Sequence, residues 1–381
     1  MKISDIKTYQ LSVKVDQPFT SSRGWWYGVK SAMLIKIETD EGLVGWGEAY
    51  GPAAVSRAVV ESVYKQHVVG KDPFDVEVIW ENLYNLVKDY GLSGMTIAAL
   101  SAVDIALWDI IGKACDKPLH KLIGGSFRNP VQAYATGFYF KDLNRALDDA
   151  VEEAHKYREQ GFKAMKMKIG LGSLERDLKR IQAVREAAGS GVQLMVDANH
   201  CYTVPQAITM GRELEKMGIY WFEEPISPED LDGYQQVSQA LDIAVAGGEN
   251  EFTRFGFREI IARKAMDIVQ PDVCAAGGIT ECKKIAAMAQ AHWVECVPHA
   301  WGSAIGFAAT LHFLASLPNC PPCLCPAPPL LEYEQTFNPF RDDLCDNSFP
   351  HEGGLVQVPQ KPGLGIEVNE EVIRKYQINK R

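Results

Sequence analysis

The chain has 381 residues, 46% of them hydrophobic and 23% charged, with a formal net charge of −10. That composition supplies a large core, and the acidic balance excludes the electrostatic footprint of a nucleic-acid or anionic-membrane binder. The length suits a barrel of roughly 250 residues with about 100 left over, so two domains are expected.

From the N-terminus, ISDIKTYQLSV and SAMLIKIETDEGLVGWGEAY read as antiparallel strands, with DEG as a turn. The opening MKISDIKTYQ holds no apolar run of signal-peptide length, and no stretch reads as long enough to span a bilayer, so a cytoplasmic enzyme is expected. Residues 53–90 and 94–115 read as helical, the second from apolar positions three and four apart in MTIAALSAVDIALWDIIGKA. Strands followed by helices predict an α+β cap over 1–125. From about 130, short apolar runs alternate with helix-length amphipathic segments, from VQAYATG through AMKMKIG to ECVPH. This predicts an α/β fold whose core is a (β/α)8-type, modified TIM barrel over 126–355. Nine cysteines, an odd number scattered along the chain, argue against a disulfide scaffold. Cys320, Cys323 and Cys325 have thiolate-site spacing, but no second Cys-x-x-C follows and the surrounding prolines favour an irregular loop. The turn-rich stretch after Glu332, closing in the segment 356–381, is expected to return to the cap and complete it.

Within the alternation, carboxylates end successive apolar runs: Asp197 in LMVDAN, Glu223 in IYWFEEP, Glu249 in IAVAGGEN and Asp272 in DIVQPD. The steps are 26, 26 and 23 residues, and His299 in VECVPH follows after 27. One strand with its crossover helix takes at least about 20–30 residues. A closed barrel turns all strand C-termini into one mouth, so the row reads as one site. A single acidic residue there is commonly a helix cap. Asp197, Glu223 and Glu249 in register, with no thiolate or His triplet nearby, instead offer hard oxygen ligands that favour Mg2+ over zinc. Three protein ligands leave three of six positions for water or a substrate carboxylate, the open coordination that Lewis-acid catalysis requires. Strand alternation sends Glu223 and Glu224 to different sides, and period alone does not choose between them. Lys166 and Lys168 share a strand face; two ammonium groups facing a barrel interior need carboxylates or an anionic ligand, and their crowding is expected to lower one pKa toward that of a usable base. Asp272 and His299 are spaced to pair, the carboxylate orienting the imidazole through Nδ1–H.

Together with the cap segment ALSAVDIALWDIIGKACDKPLHKLIGG, these motifs run nearly the full length, and the chain resembles the mandelate racemase and muconate lactonizing group of the enolase superfamily. The resemblance implies Mg2+, with Mn2+ as a substitute, held by Asp197, Glu223 and Glu249, the first glutamate of EEP being the ligand. It implies Lys168 as acid/base on one face of the substrate and His299, supported by Asp272, on the other. Lys166 would hold the substrate carboxylate and tune Lys168, and a protonated Glu332 would hydrogen-bond to the carboxylate oxygen opposite the metal. A Lys or His base combined with Mg2+ is the known pairing in enolase-superfamily sites. Asn199 shares the face of Asp197 if the strand persists, and such residues touch substrate in the family.

YATGFYF, DANHCYTVPQA with His200, VAGGEN, VPHAWGSA, NPFR and PGLGIEV are further similar to galactarolactone cycloisomerases. The expected activity is removal of the proton α to the carboxylate of an acid sugar or its lactone, then β-elimination. Acid-sugar dehydration is the first alternative and racemisation or epimerisation the second; a barrel that only binds a sugar acid is the reading from another class. Specificity is expected from residues 17–29 and 47–55, with Arg23, Trp25, Trp26 and Tyr27 closing over a small polar substrate. The expected partners are a small carboxylate and further copies of the chain, with no nucleic acid or membrane.

Overall fold

In the computed structural model, which describes residues 1–346 and 349–378, the first fifty residues form an antiparallel meander of β1 (Ile3–Phe19), β2 (Tyr27–Thr39) and β3 (Val44–Ala49). Side chains of β2 alternate between two cores. Met33, Ile35 and Ile37 face the cap helices, while Ala32 and Leu34 join the core of the second domain. The cap sheet is therefore buried on both sides, which seats it on the barrel. The helical stretch expected over 53–90 breaks after Lys65–Val68 and resumes at Val76–Leu86. The break holds Gly70 at φ +83° and Pro73, neither of which favours a helix interior.

Helix Met95–Ala114 corrects one expectation. It is long and apolar enough to cross a bilayer, yet it is the buried core helix of the cap. Gly47 of β3 packs so closely on it that a Cβ there would sit 1.9 Å from the Ala102 carbonyl oxygen. Its two central acids tie the parts together. Asp104 accepts from the Thr280 N–H at the start of helix Gly278–Ala291, and Asp109 from the N–H groups of Trp46 and Leu364.

Eight parallel strands follow: β4 (Val131–Gly137), β5 (Ala164–Lys168), β6 (Gln193–Asp197), β7 (Trp221–Glu223), β8 (Ala244–Gly247), β9 (Ile268–Val269), β10 (Glu295–Cys296) and β11 (Leu331–Glu334). They pair in sequence from β4 to β10, and β11 pairs with β4. Helices connect the strands up to β11, the arrangement expected of a (β/α)8 barrel. A short hairpin, β12 (His351–Glu352) and β13 (Leu355–Val356), pairs antiparallel with β4. The stretch after Glu332 is thus divided: the hairpin serves the barrel, and helix Glu370–Tyr376 reaches the cap, where Gln377 bridges Leu11. Residues 318–330, holding Cys320, Cys323 and Cys325, have no regular structure, and Cys323 and Cys325 are exposed.

A buried imidazole pair staples three segments. His312 donates from Nε2 to the Leu364 carbonyl at 3.0 Å, and its Nδ1 accepts from the His120 backbone N–H and ring Nδ1–H at 3.2 and 3.1 Å. Burial pulls the His312 pKa down to about 3. The unfolded chain therefore binds a proton, near pH 6.5, that the folded chain refuses, and stability falls as pH drops below about 6.5. Urea unfolding at pH 5 is expected to give about 2 kcal/mol less stability from this group than at pH 7. His312→Gln should remove that share of the pH dependence while lowering stability at both pH values.

Candidate active site

The strand register sets the site. Lys168 is aligned with Asp197 across β5 and β6, and Asp197 with Glu223 across β6 and β7. Glu249 lies two residues beyond β8, Asp272 three beyond β9, His299 three beyond β10, and Glu332 within β11. All these side chains gather at the C-terminal mouth. Donor oxygens of Asp197, Glu223 and Glu249 lie within 4.8 Å of one another, the only such group among the described residues.

The two lysines lie close enough to share Asp197 Oδ2, which Lys166 approaches to 4.0 Å, but each has a nearest carboxylate of its own. Lys166 Nζ donates to Glu223 Oε1 at 2.6 Å and pairs with Glu332 Oε1 at 3.0 Å, while Lys168 pairs with Asp197 Oδ2. Burial and nearby Lys166 both oppose the Lys168 charge, but Asp197, Glu249 and Glu223 together outweigh them, so its pKa is raised rather than lowered. Burial likewise opposes ionisation of Asp197, yet Lys168 and Lys166 hold it well below the usual carboxylate range. Glu223 goes the other way: burial pushes it up to about 7 although Lys166 opposes this. Glu332 is not the protonated acid expected. Against its burial, Lys166 and His299 hold it down to about 2.

His299 Nδ1 is 2.6 Å from Asp272 Oδ2, whose other oxygen accepts from the Cys274 N–H. The anchored ring turns Nε2 toward Glu249 Oε2 at 3.5 Å and Glu332 Oε2 at 4.0 Å. Burial disfavours the imidazolium, but Glu249, Asp272 and Glu332 together push its pKa up to about 10. Lys168 and His299 line one pocket. Their strands β5 and β10 are five steps apart through β6 to β9, with β4 and β11 between them on the other side, so the two groups approach from nearly opposite walls.

Glu223 and Glu224 are separated by the end of β7. Glu224 has φ +44° and is not one of the three close donors; it accepts from Asn250 Nδ2 at 2.7 Å and is bridged to Asp197 by Asn199 Nδ2. Nor does β6 persist to Asn199, which reaches the site through a left-handed turn at φ +40° and donates to both Asp197 and Glu224. His200, at φ +71°, sits 2.8 Å from Arg23 Nη2. Arg23 in turn faces Glu249 Oε1 at 3.6 Å, and Tyr27 lines the same pocket. Trp25, 54% exposed, lines only an outer cavity, and Trp26 lines neither.

Several residues at or behind the site escaped sequence reasoning. Gln270, just past β9, donates to Glu223 Oε2 at 2.8 Å, and Tyr139, just past β4, lies under Lys168. Both obey the strand-end rule that exposed the carboxylates and were legible by it. Tyr50 comes from the cap, and its ring meets His299 edge-on at 5.5 Å; no barrel period marks it. Three close, largely buried carboxylates, with two ammonium groups for three charges, make an all-oxygen donor set that fits a hard divalent cation.

The model of the mandelate racemase / muconate lactonizing enzyme N-terminal domain matches residues 5–124, and that of the enolase C-terminal domain-like family matches residues 149–372. The chain is 43% identical to a D-galactarolactone cycloisomerase of Agrobacterium fabrum, covering 99% of both chains. It is 38% identical to an arabinonate dehydratase of Saccharolobus solfataricus, covering 98% of this chain and 99% of that one. The crystal structure of the 3,6-anhydro-D-galactonate cycloisomerase from Zobellia galactanivorans superposes with a TM-score of 0.90 at 41% identity, covering 100% of both chains.

Proposed function

The chain belongs to the mandelate racemase and muconate lactonizing enzyme family of the enolase superfamily, and from that premise we propose that it is a galactarolactone-type cycloisomerase. It would remove the proton α to the carboxylate of an acid sugar or its lactone and expel the β-oxygen of the ring. The observation that supports this reading is that Lys168 and His299, from strands on nearly opposite sides of the barrel, line one pocket beside the three-carboxylate set. Binding alone needs neither group.

Mg2+ held by Asp197, Glu223 and Glu249, or Mn2+ in its place, would supply Lewis-acid stabilisation of charge gathering on the substrate carboxylate. Lys166 adds a fixed ammonium beside that carboxylate, and ionised Glu332 positions it. Burial and Lys166 favour the neutral amine of Lys168 while Asp197, Glu249 and Glu223 favour its ammonium, so Lys168 would serve as a base only where the charge of those carboxylates is offset. Lys168 Nζ takes the α-proton. His299, with Nδ1–H fixed on Asp272, delivers a proton from Nε2 to the departing oxygen. Dehydration is the second reading, supported by the arabinonate dehydratase relative; it shares the first step and differs in the group expelled.

The test is incubation with Mg2+ in D2O against a panel of aldonic and aldaric acids and their lactones, following Cα–H exchange and product by NMR. Exchange with at least one member is expected, and keto-deoxy acid formed from a cyclic substrate identifies ring opening. Metal binding with neither exchange nor product for any member would refute the proposal.

A further inference from the structure

Glu48 joins the cap to the barrel beside the mouth. On β3, Gly45 and Gly47 pack against the Ala106 and Ala102 carbonyls of helix Met95–Ala114, so strand alternation turns Trp46 and Glu48 to the opposite face. That face meets the barrel core, which holds Trp46 and Leu34, the β2 residue paired with Glu48. A carboxylate only 2% exposed on an apolar sheet face needs donors. It finds them at the start of helix Ala304–Ala315. Glu48 Oε1 accepts from the Ser303 N–H at 2.8 Å, and Oε2 accepts from the Ser303 hydroxyl at 2.6 Å and the Gly306 N–H at 2.8 Å. Ser303 Oγ in turn accepts from the Ile305 N–H, so Glu48 and Ser303 together satisfy N–H groups that the first turn leaves free. The fit is close: a Cβ on Gly302 or Gly306 would lie 2.7 or 2.8 Å from a Glu48 oxygen.

The segment so held begins just after His299. The Asp272–His299 pair joins two loops, one following β9 and one following β10, and its 2.6 Å contact requires those loops to keep their spacing. Strand pairing does not supply it, because the β9–β10 register ends at Val269 and Cys296, before either group. The end of β3 is tied to both loops. Glu48 grips Ser303 and Gly306, and the Tyr50 N–H donates to the Cys274 carbonyl at 3.0 Å. The Cys274 N–H donates to Asp272 Oδ1 at 2.6 Å, and a Cβ on Gly306 would lie 2.6 Å from Cys274 Sγ. The cap thus clamps the two loops against each other.

Resting on the proposed function, we infer that Glu48 is a positioning residue for His299: by holding Ser303 and Gly306 it keeps the imidazole on Asp272 and within reach of the oxygen that His299 protonates. Misplacement by about 1 Å can cost about 10²-fold in such a step. The test gives the full-length protein Mg2+ and the best substrate of the panel in D2O at pH 8, and measures both product and deuterium entering recovered substrate. Burial pushes the Glu48 pKa up to about 7, so its carboxyl is ionised there. Glu48→Gln keeps the shape and sets an amide NH2 against N–H donors. It is expected to lower kcat for product by about 10²-fold with little change in KM, raising the ratio of exchange to product. Loss of folded enzyme would lower both and leave that ratio unchanged. Ser303→Ala removes one donor from the barrel side and should shift the ratio the same way by about tenfold. In a His299→Asn background Glu48→Gln should not lower exchange further, because a residue acting through His299 has nothing left to act on. Asp109→Asn, at a buried cap acid tied to Leu364 and to neither loop, should lower stability and leave the ratio unchanged. An unchanged ratio in whichever of Glu48→Gln and Ser303→Ala folds overturns the inference and leaves the proposed function standing. So does a loss of exchange caused by Glu48→Gln in the His299→Asn background. Native protein that gives neither exchange nor product overturns the proposed function, and this inference with it.

Discussion

Lys168→Ala is expected to lower both Cα–H exchange and turnover by about 10²–10⁴-fold, the usual contribution of a positioned general base. The side chain has no other evident task. It is 6% exposed, its ammonium meets Asp197 at the edge of the pocket, and its loss leaves neighbouring Lys166 with Glu223 and Glu332 as before. Metal affinity should not fall, because alanine removes a cation that competes for Asp197. The measurement pairs exchange kinetics in D2O with metal titration of the same variant. Full exchange in Lys168→Ala would assign the base elsewhere, with His299→Asn as the companion variant. If His299 is the proton donor, His299→Asn should retain exchange at Cα while losing elimination.

Glu249→Gln is expected to weaken binding of the divalent ion by about 10²-fold and to lose activity that returns only in part at high metal concentration. Of the three carboxylates it is the most exposed, at 10%, and it lies beyond its strand rather than within it. The substitution keeps the shape and removes one negative charge from a site whose affinity rests on charge count. Glu249 also faces His299 Nε2 and Arg23, so the variant should release both from a carboxylate. Chelation of the native protein should abolish activity and re-addition of Mg2+ restore it. Isothermal titration separates the two variants: Lys168→Ala binds metal and does not turn over, whereas Glu249→Gln turns over only when metal is forced on. Activity that survives exhaustive chelation would remove the metal from the mechanism.

The two variants probe features of different legibility. The spacing of Asp197, Glu223 and Glu249 was open to reading because each βα unit consumes a nearly constant length of chain and delivers its strand end to the same mouth. The pairing of Asp272 with His299 followed from the same interval, and the 2.6 Å contact is its geometric outcome. Electrostatic state was not legible in the same way. Lys166 and Lys168, two residues apart, invited a prediction of mutual repulsion; that repulsion is present, but the partners arriving from other strands, Asp197, Glu249 and Glu223 for Lys168, outweigh both it and burial. Glu332 was assigned a proton by resemblance, but two lysines and a histidine from other strands surround it and hold it ionised.

By itself the sequence determined the alternating barrel, the cap and the row of strand-end donors, because these follow from local periodicity and from the fixed length of a repeated unit. Only the tertiary structure decided that Glu223 and not Glu224 joins the three close donors, that a membrane-length apolar helix is a cap core, and that cap residues Arg23, Lys30 and Tyr50 meet the barrel mouth. Contacts between residues hundreds of positions apart depend on barrel closure and on single left-handed residues, and neither leaves a period in the chain.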